Sequence, residues 1–138
     1  MDDNQFMREA IEDAKKNDHR FGAIIVKDNN IIAKSGKRPK SDARYHAEAQ
    51  AILNAGKDLK NCTLYSTCEP CIMCFYLAWV TGISKIFYGA TLKDSMKEGI
   101  PEIDISINEL NERTGNKIKI KNILRDECLE LLKETHKK

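Results

Sequence analysis

Phe6, Met7, Ala10, Ile11 and Ala14 recur at helical spacing among charged residues, which predicts an amphipathic helix from about Asp2 to Asn17 with a charged outer face. The apolar run Phe21-Gly22-Ala23-Ile24-Ile25-Val26 and the shorter Ile31-Ile32-Ala33 flank the turn cluster Asp28-Asn29-Asn30, so together they predict a β-hairpin. Residues 36–45 are polar and contain a breaker, Pro39; they predict a loop that delivers the chain to His46. An Ala-rich helix follows from His46 and closes at Gly56, a good C-terminal cap residue. Thr63–Thr67 predicts a buried strand, Cys71 to about Thr81 a helix ended by Gly82, and Lys85–Tyr88 another strand. Strand, helix, strand, helix, strand in this order predicts parallel neighbours joined by right-handed crossovers, with helices on the sheet faces and ligands outside the strands' carboxyl ends.

From Ala90 to Gly115 the pattern is less regular: Asp94–Glu98 reads as helical and Pro101–Asp104 as a loop. Lys117–Lys121 alternates strictly, which predicts an amphipathic strand. Residues 124–136 predict a last helix with Leu124, Cys128, Leu131 and Leu132 inward. No linker, repeat or low-complexity tract interrupts the chain, so residues 1–138 are expected to form a single α/β domain.

Composition narrows the partners little. At 138 residues the chain can bury a core without staples. Its 23 Lys and Arg against 21 Asp and Glu give a net charge of +2, which argues for neither nucleic acid nor membrane. No apolar run approaches the roughly 18 residues needed to span a bilayer, and Met1-Asp2-Asp3-Asn4 is acidic and polar where a signal peptide is basic and then apolar. A cytoplasmic protein without a membrane partner is expected. The five cysteines are an odd count for a disulfide framework, and the cytosol keeps thiols reduced. Cys62 and Cys128 read as core packing; Cys68 is placed to line a pocket wall.

Two cysteines carry a different reading. If Pro70 opens a helix, Cys71 and Cys74 share the face of its first turn and their thiolates can hold one metal. A bare Cys-x-x-Cys also fits a structural zinc or a redox pair. A structural zinc needs a fourth ligand, for which His19 and His136 are badly placed and Cys62 or Cys68 remain, and a redox pair leaves His46-Ala47-Glu48 unexplained. A catalytic zinc has three protein ligands and an open fourth position, and His46 is the natural third. Residues two apart on a helix point about 200° away from one another, so His46 and Glu48 face one site only if His46 stands at the helix start. The metal then lies between the positive ends of two helices, where thiolates are favoured and a bound water is acidified. Glu48 is left to move protons.

His46-x-Glu48 followed by Pro70-Cys71-x-x-Cys74 resembles the zinc deaminases of the cytidine-deaminase superfamily. The branch it most resembles holds bacterial and archaeal guanine deaminases, cytosine deaminases and tRNA adenosine deaminases. The resemblance runs from about residue 5 to residue 133. It implies a three-layer α/β/α sandwich with a five-stranded mixed sheet and one Zn2+ per chain on His46, Cys71 and Cys74. It further implies Glu48 as proton shuttle, and a homodimer. Implied substrate contacts are Lys37, Ala47, Glu69, Pro70 and Glu102, with Asp104 beside the last. Pro70 also has a plainer role, fixing φ at a helix entrance.

The chain departs from its relatives in one place. They commonly carry an Asn just before Arg-Pro to read the base edge, where this chain has Lys37. A lysine has donors and no acceptor, so it either meets a carbonyl or acid or points to solvent. In the tRNA branch an acid stands near Thr91-Leu92, which is absent here, and the basic residues Lys117, Lys119, Lys121 and His136-Lys137-Lys138 are few. Ser66-Thr67-Cys68-Glu69-Pro70-Cys71 looks more like the guanine deaminases, and Glu102 falls near their second functional acid. The expected substrate is therefore a small nucleobase or nucleoside, guanine or a related purine before cytosine or cytidine. An adenosine in tRNA and an inactive zinc-stabilised module are the alternatives.

Overall fold

In the computed structural model, which describes residues 1–136 and the side chains of residues 1–134, Asp2 caps helix α1 (Asp3–Lys16). Its carboxylate accepts from the Gln5 N–H at 2.9 Å, and the Gln5 side chain accepts from the Asp2 N–H at 2.8 Å, so two orphan donors are satisfied reciprocally. Strands β1 (Ala23–Lys27) and β2 (Asn30–Lys34) form the hairpin. At its tip Asp28 and Asn29 take φ of 49° and 62°, the left-handed region that suits a tight two-residue turn.

His46 caps α2 (Ala47–Ala55), β3 spans Thr63–Cys68, and Cys71 caps α3 (Ile72–Val80). Then follow β4 (Lys85–Ala90), α4 (Leu92–Lys97), α5 (Ile107–Arg113), β5 (Lys119–Asn122) and α6 (Arg125–His136). Helix α5 lies in a stretch expected to be irregular. Ser106 starts it, its side chain accepting from the Asn108 N–H, and it buries Ile107 and Asn111. Strand β5 begins two residues later than the alternation at Lys117 suggests. Lys137 and Lys138 of the short basic tail, and the His136 side chain, lie outside the described residues.

The five strands run in the order β2-β1-β3-β4-β5. The β3, β4 and β5 strands are parallel, whereas β1 is antiparallel to both β2 and β3. The sheet is therefore mixed, and the expectation that the strands before and after α2 pair as parallel neighbours is corrected. The α2 crossover carries the chain from β2 past β1, so β1 is inserted between β2 and β3. Burial explains the placement: Ala23–Val26 are buried on both faces, as an interior strand must be, while β2 alternates between exposed and half-buried at the edge.

Helices cover both faces. Ala51 and Ile52 of α2, Phe75 and Ala78 of α3 and Ile107 of α5 pack with Ile25, Leu64 and Ile86 on one side. Met7, Ala10 and Ala14 of α1 and Cys128, Leu131 and Leu132 of α6 pack with Ile24, Tyr65 and Phe87 on the other. Burying Leu131 and Leu132 contributes roughly 1.5–3 kcal/mol each to holding α6. Gly22 lets α1 meet β1 closely, since a Cβ there would lie 2.1 Å from the Ala10 carbonyl oxygen. No helix among the described residues is long and apolar enough to cross a membrane.

Candidate metal centre and cavity

His46 and Cys71 stand at the starts of two neighbouring helices, each in extended backbone (φ −69°, ψ 148° and φ −74°, ψ 178°), so both side chains precede the helical turn. Cys74 sits in the first turn of α3 and is fully buried. The His46 Nδ1 lies 3.4 Å from the Cys71 Sγ and 3.7 Å from the Cys74 Sγ, and the three ligand atoms lie within 4.8 Å of one another. A zinc ion bonded at about 2.3 Å to sulfur and about 2.0 Å to nitrogen at tetrahedral angles holds S and N about 3.5 Å apart, so the group fits that ion. Cys68 is not part of this group; it is buried, and its thiol points to the Thr91 carbonyl oxygen at 3.8 Å. Cys62 and Cys128 are core residues of opposite sheet faces, and none of the five cysteines is in a disulfide.

The three side chains perturb one another strongly. The Cys71 thiol is pulled down to about 4, first by a hydrogen bond with Cys74 and then, against burial, by one with His46. The hydrogen bond to Cys71 in turn raises the Cys74 thiol, and burial adds to it. His46 is raised to about 9, chiefly by its bond to Cys71. Cys71 is thereby favoured as the thiolate of the group, while His46 and Cys74 are held toward their protonated forms and would each release a proton on binding a metal. Beside the group, burial raises the Glu48 carboxyl to about 7, with Cys71 acting in the same sense and His46 opposing.

His46, Cys71 and Glu48 line a cavity of about 280 Å³ between α2, the loop before it and the segment after α4; Cys74 lies behind them, fully buried. Glu48, the expected proton shuttle, and Ala47, Glu69 and Glu102 of the expected contacts line it, together with Arg38 and His19. Glu102 is half-buried and accepts from the Ser95 hydroxyl at 2.8 Å; burial raises its carboxyl. Pro70 is buried and does not line the cavity. Nor does Lys37, which is exposed on the outer side of the loop. Asp104 is exposed too, paired with Lys93 at 3.0 Å.

The residue next to Lys37 does what the sequence reading did not foresee. Arg38 turns inward, is 8% exposed, and donates to three backbone carbonyls: Phe21 at 2.7 Å, Tyr45 at 3.1 Å and Gly36 at 3.2 Å. It ties both ends of the loop to the strand entrance and sets a positive charge whose field opposes the rise in Glu48. The loop's start is held by Asp13 of α1, which accepts from the Ser35 hydroxyl and the Gly36 N–H. The His19 ring meets the Arg38 carbonyl oxygen at 3.1 Å through Nε2. A carbonyl only accepts, so Nε2 carries the proton, and burial and Arg38 keep the ring neutral by lowering its pKa.

Comparison with known proteins agrees with this geometry. The family described as the cytidine and deoxycytidylate deaminase zinc-binding region matches residues 1–90. The chain is 36% identical over 145 aligned positions to a tRNA-specific adenosine deaminase of Aquifex aeolicus, covering 96% of this chain and 93% of that protein. It is 36% identical over 104 positions to a probable cytosine deaminase of Schizosaccharomyces pombe, covering 69% of this chain and spanning 64% of that protein's length. In fold it is similar to a guanine deaminase from Nitrosomonas europaea, with a TM-score of 0.84 at 22% identity over 99% of this chain and 86% of that one. With a matched zinc-binding region over most of its length and a relative aligned end to end, the chain belongs to the cytidine and deoxycytidylate deaminase family.

Proposed function

We propose that the chain is a zinc-dependent hydrolase that deaminates a small nucleobase or nucleoside, guanine or a related purine first. The observation that carries this reading is the convergence of His46, Cys71 and Cys74 on one point, with His46, Cys71 and the buried Glu48 lining one cavity. When bound, zinc supplies the Lewis acidity that makes water a nucleophile near neutral pH. Glu48 takes a proton from the attacking water, gives it to a ring nitrogen, and later delivers one to the leaving ammonia, so that C–NH2 and water become C=O and NH3. A carboxyl raised to about 7 is suited to both halves of that traffic. Glu102, on the facing wall and raised by burial, is the reason for favouring a purine: it offers a second carboxyl to the ring or the leaving group.

Ammonia release measured against guanine, guanosine, cytosine, cytidine, adenine, aminated triazines and a tRNA stem-loop tests the substrate class. Turnover of guanine or another free purine is the expected result; turnover of the stem-loop alone overturns it. The Aquifex relative, aligned along nearly the whole chain, is what favours adenosine in tRNA as the second reading. That reading requires binding that weakens steeply with salt.

The reading includes a homodimer in the cytoplasm. Five cysteines outside any disulfide suit a reducing compartment. Tyr76, Trp79 and Val80 of α3 and Leu53 of α2 supply exposed apolar area for a second copy.

A further inference from the structure

The carboxylate of Glu69 is spent on the backbone. It is 7% exposed, one oxygen accepts from the Leu92 N–H at 3.0 Å, and the other accepts from the Ile107 N–H at 3.0 Å. Those two amides are the first residues of α4 and α5. The first turns of a helix leave N–H groups without intrahelical partners, and a carboxylate answers them through both hydrogen bonding and the helix dipole. One side chain therefore serves two helix starts that are separated in sequence by the whole segment from residue 93 to residue 106.

That segment builds one wall of the cavity, with Ile100, Pro101 and Glu102. Its other side-chain restraints act within the segment or on α4, or come from outside through Arg125 of α6, which bonds Asp94, and Arg20, which donates to the Glu98 carbonyl at 3.4 Å. Ser95 donates to Glu102 at 2.8 Å, Lys93 pairs with the exposed Asp104, and Asp94 closes a capping box with Thr91. None of these reaches across to the metal-bearing side of the sheet. Glu69 does: it follows β3, its own N–H donates to the Ala90 carbonyl at 2.8 Å, and Cys71 comes two residues later.

We propose that Glu69 is a positioning residue, its buried carboxylate joining the starts of α4 and α5 so that the wall bearing Glu102 is set at a fixed distance from the metal-binding group. For its kinetic consequence the inference rests on the deaminase reading; for its structural content it does not.

The test compares the zinc-loaded parent with Glu69→Gln, which keeps the size but turns one acceptor into a donor facing a backbone N–H. Amide hydrogen exchange at Leu92 and Ile107, zinc content, and kcat and KM on a turned-over base are measured together. Expected are one zinc per chain in both proteins, exchange at one or both amides at least tenfold faster, and KM raised about tenfold or more. In the Glu102→Gln background, Glu69→Gln should add little, because both act on the same wall. Unchanged exchange with a KM rise that adds in full to that of Glu102→Gln would mean that Glu69 touches substrate, and overturns the proposal. Faster exchange with KM and kcat unchanged also overturns it, leaving a clamp without effect on the reaction. Should Glu69→Gln not fold, Glu69→Asp keeps the charge but is one methylene short and can reach one N–H only; release of one amide and a smaller KM rise are then expected, and both amides still protected refute the clamp. If the parent turned over no base, the deaminase reading would fall, and the two amides would still decide the clamp.

Discussion

Glu48 is the side chain on which the proposed chemistry turns. Glu48→Gln keeps the shape and removes the titrating oxygen, so ammonia release should fall by at least about 10²-fold while metal analysis still finds one zinc per chain. Retained activity would remove the shuttle role. At Gly22 the argument is steric: the added methyl of Ala would sit 2.1 Å from the Ala10 carbonyl and 2.9 Å from the Ala14 Cβ, both fixed in α1. Gly22→Ala should cost about 3 kcal/mol or more in denaturant unfolding, the upper end for overpacking because backbone rather than a flexible side chain must give way. The convergence of His46, Cys71 and Cys74 was legible in the sequence because helix starts and a three-residue spacing bring them together. Arg38 and Glu69 were not, because their partners are backbone groups far along the chain, which carry no side-chain signature. The two readings of Lys37 stayed open in the sequence for a related reason: in an irregular loop nothing says which of two adjacent cations turns inward.

Helix α4 shows how an element of six residues is made to hold its place. Asp94 closes the capping box on Thr91 and takes a two-pronged bond from Arg125 of α6 at 2.7 and 2.9 Å. The Arg125 guanidinium brings the Asp94 carboxyl down to about 2 in the fold. An unfolded aspartate titrates near about 3.9, so the folded value is the lower one, and the added stability is complete above about pH 4 and vanishes as pH falls through about 2. Because the Arg125 side chain is 48% exposed, solvent screening trims this to about 1–2 kcal/mol. Asp94→Asn should therefore be less stable than the parent by that amount at pH 7, with the two unfolding curves converging near pH 2; a constant gap across that range contradicts the assignment. At this scale the sequence spoke through periodicity for α1 and α6, and through composition and end signals for α2, rich in Ala and closed by Gly56, and α3, between Pro70 and Gly82. It was faint for α5, where a buried Asn111 interrupts the apolar face although Ser106 and Glu109 stand at capping-box spacing. The order of strands is another matter. Alternation in β2 against an unbroken apolar run in β1 distinguishes edge from interior, but nothing local tells the chain to insert one between the other and β3.

For the whole molecule, the exposed aromatic pair Tyr76 and Trp79, with ring centroids 5.8 Å apart on α3, makes assembly testable. Sedimentation of the parent should report twice the chain mass at micromolar concentration, and Trp79→Glu should shift the distribution to the single chain; a parent that sediments as one chain at all concentrations excludes the dimer. The two sheet faces also separate two kinds of thiol. Cys128 packs so closely on bare β4 backbone that its sulfur lies 2.2 Å from where a Cβ on Gly89 would stand, and burial pushes it up to about 12. An alkylating reagent can reach it only while α6 is peeled off the sheet, so the pace of its labelling clocks the lifetime of the docked C-terminal helix. Chelating the zinc, on the opposite face, should unmask Cys71 and Cys74 within the same experiment and leave that clock running at its old rate.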